Sequence, residues 1–105
     1  MANVLRESGF EVRSARDGAQ AMQLLQESAP ALLIMDVMMP NLDGWTLRAA
    51  MMERPELSRL PVLVVSALEP RGELLEALRP AAALRKPFCL DRLLKHVHHL
   101  LNEFH

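Results

Sequence analysis

The chain has 105 residues, of which 50% are hydrophobic and 24% are charged, so it is long enough for one domain with a modest core. Its formal net charge is −1 and its acidic and basic residues are interspersed, which argues against nucleic-acid binding and against attachment to an anionic membrane. The single cysteine, the lack of a signal-type apolar segment and the lack of a run of membrane-spanning length predict a cytoplasmic protein without an internal disulfide.

The first part of the chain predicts a helix, an edge strand and a second helix. Residues 1–8 have the composition of the end of a helix, and Gly9 stands where a left-handed C-terminal cap belongs. Apolar and polar residues alternate over residues 10–14, which predicts an edge strand with one buried face. A turn before Gly18 starts a helix whose apolar stripe ends at Pro30.

The most informative stretch is the apolar run of residues 32–35, which ends in Asp36 and is followed by a turn-rich loop. Such a run predicts a buried parallel strand that carries the carboxylate to its carboxyl end. Two later apolar strands have the same form, and they lead to Ser66 and Lys86. Because ligands bind at the carboxyl ends of the strands in doubly wound sheets, a carboxylate, a hydroxyl and an ammonium group are expected to converge there.

Helices alternate with these strands along the rest of the chain. The predicted helices cover residues 44–52, 70–79 and 90–104, the predicted strands cover residues 62–66 and 82–85, and residues 53–60 form a polar connection. This alternation predicts an α/β fold, with a doubly wound parallel sheet covered by helices on both faces.

A single carboxylate at the mouth of a parallel sheet has several chemical uses. Asp36 is a candidate metal ligand, general base or nucleophile that forms an acyl phosphate, and its structural alternative is a strand-end capping residue. Lys86 can pair with a phosphoryl oxygen and Ser66 can donate a hydrogen bond to another. The step from Lys86 to Pro87 predicts a tight turn in which a cis bond is accessible.

Short motifs spread over most of the chain point to one family. They are Asp17-Gly18, Ile34-Met35-Asp36, Pro40, Asp43-Gly44, Val65-Ser66-Ala67 and Lys86-Pro87-Phe88. Together these motifs resemble those of a receiver domain of a bacterial two-component response regulator, which has a flavodoxin-like (CheY-like) fold. The resemblance implies a single receiver domain over residues 1–105 that works in a two-component phosphorelay and signals by conformational switching.

The resemblance also implies the roles of individual residues. Asp36 would accept a phosphoryl group from a histidine kinase or a phosphotransfer protein, Ser66 would be the switch hydroxyl, and Lys86 would hold a phosphoryl oxygen. Asp36 and the backbone carbonyl of Met38 would hold Mg²⁺, which supplies charge neutralisation in phosphoryl transfer. Such a chain is a phosphoacceptor with at most slow self-dephosphorylation, and it is not an enzyme in the ordinary sense.

The sequence departs from the family at its start. The family's first strand ends in an acidic pair that holds magnesium, and this chain has no counterpart of that strand or of the pair. We therefore expect an N-terminally truncated sheet of four strands instead of five, weak magnesium binding, and slow or absent phosphorylation. The unpaired strand edges also predict association of the chain with itself.

Three alternatives follow from the same residues. A pseudo-receiver would be a phosphorylation-independent interaction module that keeps the fold without the metal site. A haloacid dehalogenase-type phosphohydrolase needs a second Asp at the position of Met38, and a flavodoxin needs a Ser/Thr/Gly-rich phosphate loop, which this sequence lacks. The pair His96 and His99 shares a helix face without a third ligand in register, which favours a solvated surface over a metal site.

Overall fold

A computed structural model of the chain describes residues 2–36, 43–66 and 76–104. The predicted helix at 70–79 and the predicted ligand Met38 fall wholly or mostly outside the described residues. In chain order the elements are α1 (Ala2–Glu7), α2 (Gly18–Glu27), β1 (Leu33–Asp36), α3 (Gly44–Met52), α4 (Pro55–Ser58), β2 (Val62–Ser66), β3 (Ala82–Arg85) and α5 (Leu90–Phe104).

The described strands form one parallel sheet in the order β1-β2-β3. All five residues of the central strand β2 are buried, because helices cover this strand on both faces. A continuous aliphatic run is what such a doubly covered strand requires, and the predicted strand at residues 62–66 is confirmed. The parallel α/β fold class expected from the sequence is confirmed as well.

Side chains of alternate strand residues enter two separate hydrophobic cores. On one face α2, α3 and α4 pack against Val62 and Val64, and on the other face α1 and α5 pack against Leu63 and Val65. The described buried members of the first core are Ala21, Leu25, Met35, Leu47, Met51, Leu57, Leu60, Val62, Val64 and Leu78. Those of the second core are Leu5, Leu63, Val65, Leu84, Leu93, Val97 and Leu100.

Helix ends follow the capping chemistry of the sequence. Gly9 has φ +96° after α1, which confirms the predicted left-handed cap, since a side chain at this φ would be strained. Asp17 caps α2, and its Oδ1 accepts a hydrogen bond of 2.7 Å from the Gln20 N–H.

Among the described helices, none has the length and apolar character that crossing a bilayer requires.

The expected edge strand at residues 10–14 does not form: this segment is described and has no strand structure, so the described residues contain three strands rather than four. A groove of about 790 Å³ lies between this segment and β1, with residues 10–15 on one side and residues 31–36 on the other. A strand needs a hydrogen-bonded neighbour, and among the described strands β1 pairs with β2 alone. Phe10 and Val12 still pack against the second core, which explains the alternating pattern.

Two smaller expectations are corrected at the helices. The segment 53–60, predicted as an irregular connection, contains the one-turn helix α4, which buries Leu57. Pro55 is tolerated at the start of this helix because the N–H that proline lacks would have no partner there. The apolar pattern of the helix predicted at residues 90–104 includes Leu90 in its buried stripe, but Leu90 is 45% exposed, whereas Leu93, Val97 and Leu100 of the same stripe are buried. The stripe therefore begins one turn later than the apolar pattern predicts.

Candidate functional site

The three predicted site residues lie at one edge of the sheet. Asp36 ends β1, Ser66 ends β2, and Lys86 directly follows β3. The strands are parallel and in register, with Asp36 opposite Val65 and Ser66 opposite Arg85, so their carboxyl ends meet at the same height. The structure thus brings these strand ends together, as the sequence pattern indicates.

Lys86 and Asp36 form a direct ion pair. Lys86 Nζ lies 2.6 Å from Asp36 Oδ2, and the side chains are 38% and 16% exposed, respectively. The backbone N–H of Lys86 donates a hydrogen bond of 2.7 Å to the Ser66 carbonyl, which fixes the start of the turn after β3. The bond between Lys86 and Pro87 is cis, as the sequence allows. The ammonium group is thereby held over the carboxylate at the sheet edge.

Ser66, the third predicted site residue, is only 5% exposed. It follows Val62 and Val64 in the strand alternation, so it belongs to the face of the first core, whereas Asp36 follows Ile34 on the face of the second core. The hydroxyl and the ion pair therefore approach the sheet edge from its two sides. A group bound between them would meet an ammonium on one side and a hydroxyl on the other.

Asp43 starts α3 at the end of the loop that follows β1. Its Oδ1 accepts the N–H groups of Trp45 and Thr46 at 3.1 Å each, and its Oδ2 accepts the Thr46 hydroxyl at 2.7 Å. These hydrogen bonds lower the pKa of Asp43 below its ordinary value. The bond from the Thr46 hydroxyl has the largest effect, and the bond from the Thr46 N–H comes next. The carboxylate is committed to capping the helix, which makes it a poor replacement for the family's acidic pair.

The described residues do not by themselves form a magnesium site. Magnesium needs octahedral oxygen coordination, commonly from more than one carboxylate together with water. Within residues 2–36, 43–66 and 76–104 no group of three or more His, Cys, Asp or Glu side chains is placed to hold a metal ion. Asp36 brings one carboxylate, which Lys86 already neutralises. The second expected ligand, the carbonyl of Met38, lies outside the described residues.

A buried arginine was not predicted from the sequence. Arg48 lies on the same stripe of α3 as Gly44, Leu47 and Met51, and it is only 5% exposed. A charged residue at the spacing of an apolar stripe is the signal that could have identified it, because arginine is rarely buried without partners. Arg48 lies at the opposite end of the sheet from Asp36, near the start of β2.

Comparison of this chain with known proteins identifies a family and several relatives. The family described as response regulator receiver domain matches residues 1–98. The chain is 37% identical over 102 residues to the phosphate regulon transcriptional regulatory protein PhoB of Rhizobium meliloti, covering 92% of this chain and 44% of that protein. It is 34% identical over 80 residues to the response regulator PleD of Caulobacter vibrioides, covering 74% of this chain and 18% of that protein. The chain thus spans less than half the length of these curated relatives.

The fold itself has close counterparts among solved structures. The crystal structure of a putative response regulator from Chloroflexus aurantiacus matches with a TM-score of 0.82 and 33% identity, over 94% of this chain and 83% of that one. On the fold and on the match of residues 1–98, this chain belongs to the response regulator receiver domain family of two-component systems.

Proposed function

We propose that the chain is a phosphoacceptor in a two-component phosphorelay and that Asp36 is the residue that takes the phosphoryl group. Lys86 neutralises charge on the carboxylate and then on a phosphoryl oxygen, and Ser66 donates a hydrogen bond to a second phosphoryl oxygen. The observation that carries this proposal is the 2.6 Å distance between Lys86 Nζ and Asp36 Oδ2 at the carboxyl ends of parallel strands. Phosphoryl transfer depends on such positioning and charge neutralisation.

The proposed reaction is a direct displacement at phosphorus. An oxygen of the Asp36 carboxylate attacks the phosphorus of a phosphohistidine on the donor, the P–N bond breaks, and the electron pair of that bond stays on the imidazole nitrogen. The other ring nitrogen of the donor histidine carries a proton, so the products are an acyl phosphate on Asp36 and a neutral donor histidine. Before the transfer the Lys86 ammonium pairs with the Asp36 carboxylate, and after it the ammonium pairs with a phosphoryl oxygen of the product, so it has an anionic partner in both states.

The same proposal names the partner and the location. A histidine kinase or a phosphotransfer protein is the donor, and a donor of this kind places the chain in the cytoplasm. The chain acts as substrate for its donor, with self-dephosphorylation as its own slow reaction. Phosphorylation would then shift the population between two conformations of the surface near the sheet edge, which is how a local change of charge reaches a partner.

The test is intact mass of the folded chain after incubation with acetyl phosphate, with and without magnesium. We expect a phosphoryl adduct that forms slowly on the wild-type chain, since the family's acidic pair is missing, and none on Asp36→Asn, because the amide is a far weaker nucleophile. Asp43→Asn is the matched control, since Asp43 is the nearest described carboxylate after Asp36 in sequence and serves as a helix cap. The control should still form the adduct.

The outcomes separate the two functions that the sequence leaves open. An adduct that forms on Asp36→Asn as readily as on the wild type would refute Asp36 as the acceptor. No adduct on a wild-type chain that circular dichroism shows to be folded would refute phosphoacceptance by this chain. The pseudo-receiver, which binds a partner without phosphorylation, would then be the function to test.

A further inference from the structure

An open cleft lies at the end of the sheet opposite Asp36. It has a volume of about 460 Å³ and is bordered by the start of β2 and by the segment that precedes β3. The polar and charged side chains that line it are Arg48, Ser58, Arg59 and Arg79. Three arginines therefore face one cleft in a chain whose formal net charge is −1.

Arg48 forms the floor of this arrangement. Its Nε donates a hydrogen bond of 2.8 Å to the Leu78 carbonyl, and its Nη2 donates one of 3.2 Å to the Arg79 carbonyl. Its Nη1 is buried and has no hydrogen-bond partner within the described ranges. A buried donor of a charged group that lacks an acceptor is rare in native proteins, and it indicates a missing ion, ligand or water.

The charges around Arg48 are of the same sign. Burial first, and then the positive charge of Arg79, lower the pKa of Arg48. The ion pairs found among the described residues involve Arg13, Arg54 and Lys86, and none of them involves the three arginines of the cleft. A water molecule could accept the Nη1 hydrogen, but only an anion would also offset the repulsion between these guanidinium groups.

We propose that this cleft binds a small oxyanion of the phosphate class, with Arg48 as the buried anchor and with Arg59 and Arg79 at the rim. Arg48 Nη1 is covered in this structure, so an oxyanion reaches it only when the side chains at the rim of the cleft turn aside. It then supplies the acceptor that Nη1 lacks, and the planar guanidinium group matches the geometry of phosphate oxygens. Arg59 and Arg79 are exposed, so they can turn their side chains toward the anion. The site is separate from Asp36 because it lies at the amino ends of β2 and β3.

The test is a titration of the ¹⁵N-labelled full chain with inorganic phosphate at constant pH and ionic strength, with chloride as the balancing anion. Saturable shifts are expected in the amide signals of residues 58–62 and 79–82, apart from Pro61 and Pro80, which have no N–H. Arg48→Met should weaken binding by about tenfold or more, the loss of one charge-assisted contact. Sulfate should compete with phosphate, whereas acetate, with one negative charge, should bind more weakly.

Two further variants keep the test decisive if Arg48→Met does not fold. Arg79→Asn removes a rim charge from an exposed position, and asparagine tolerates the φ of 49° at this residue, so the variant should fold and bind phosphate several-fold more weakly. Arg54→Gln is the matched control, because Arg54 is exposed and paired with Glu56 outside the cleft, and its dissociation constant should equal that of the wild type. Shifts at residues 58–62 and 79–82, at the opposite end of the sheet from Lys86, separate this site from the proposed phosphoacceptor.

Several results would overturn the proposal. One is a titration without saturable shifts at residues 58–62 and 79–82. Another is an unchanged dissociation constant in Arg79→Asn. A third is a set of shifts confined to the neighbourhood of Lys86, which would place the phosphate at the opposite end of the sheet. Without phosphate binding, a water molecule would be the partner of Arg48 Nη1.

Discussion

Lys86 Nζ lies 2.6 Å from Asp36 Oδ2, although 50 positions separate the two residues in the chain. Parallel pairing places the ends of β1 and β3 on either side of the end of β2, and the backbone bond from Lys86 to Ser66 holds the turn from which the lysine side chain reaches Asp36. The pair stays in contact with solvent, since Lys86 is 38% and Asp36 16% exposed. Its main effect is therefore expected on the charge at the site, with a smaller effect on the stability of the fold.

Removal of the ammonium group should slow phosphorylation without unfolding the chain. Lys86→Ala is expected to lower the initial rate of adduct formation from acetyl phosphate by about a hundredfold, because one preorganised charge no longer stabilises the transferring phosphoryl group. The measurement is the mass spectrum at early times. Lys95→Ala, which removes an exposed lysine from α5, should react like the wild type. Equal rates for both variants would show that Lys86 has no role in the transfer.

The stability contribution of the ion pair can be isolated by a double-mutant cycle. Urea unfolding of Asp36→Asn, Lys86→Gln and the double variant should give a coupling free energy of about 1 kcal/mol or less, as expected for a partly exposed pair. The pair Arg54 and Glu56, 4.0 Å apart and more exposed, offers a matched cycle that should give a smaller value. A coupling near 3 kcal/mol would instead show that Asp36 and Lys86 behave as a buried pair.

Much of the candidate site could be predicted because its elements are local. An apolar run ending in one polar residue identifies a buried strand, and parallel strands deliver their last residues to one edge, so the meeting of Asp36 and Lys86 follows from the pattern. The helix caps at Asp17 and Asp43 are equally local, since each carboxylate bonds N–H groups no more than three residues away.

The rest depends on pairing and packing across the chain, which periodicity does not report. Apolar and polar residues alternate over residues 10–14 as they do in a strand. This alternation predicts which side chains are buried, but it does not predict whether a neighbouring strand is available for pairing. The burial of Arg48 is hard to predict for the same reason, because it depends on the carbonyls of Leu78 and Arg79, which are thirty and thirty-one positions away in the chain. No local pattern indicates that those acceptors are present.

The cap of α3 should make the fold sensitive to acid. The pKa of Asp43 is lower in the folded chain than in the unfolded chain. Its carboxylate therefore contributes fully to the stability of the folded chain above the unfolded-state pKa, and this contribution is lost as the pH falls through the folded-state pKa. Asp43→Asn keeps a capping oxygen without the charge, so its melting temperature should depend less on pH below about pH 4. Thermal unfolding followed by circular dichroism at several acidic pH values measures this difference.

Thr46→Val is the matched variant for that experiment. It removes the hydroxyl that donates to Asp43 Oδ2, while the two backbone donors to Oδ1 remain. Its melting curve should show a pH dependence between those of the wild type and Asp43→Asn, because the largest cause of the lowered pKa is gone. Identical pH dependence in all three chains would mean that the cap does not contribute to acid sensitivity.

The groove between residues 10–15 and β1 reaches both hydrophobic cores. Its lining includes Met35 and Leu47 of the first core and Leu5 and Val97 of the second, so it lies in the plane of the sheet. Among the described strands, β1 pairs with β2 alone, and its other edge faces this groove. An accessible strand edge beside apolar side chains is a surface on which a second chain can pair.

We therefore expect the chain to associate with itself, which sedimentation velocity will show as a weight-average mass that rises with concentration. Ala29→Lys and Ser14→Lys place charges at exposed positions on the rim of the groove. They should shift association to about tenfold higher concentration, because a charge on the rim must be desolvated when a second chain covers the groove. Leu90→Gln is the matched control, since it removes the exposed leucine of α5, which lies outside the groove lining. If Leu90→Gln disrupts association and the rim lysines do not, the contact is made by α5 and the groove has no part in it.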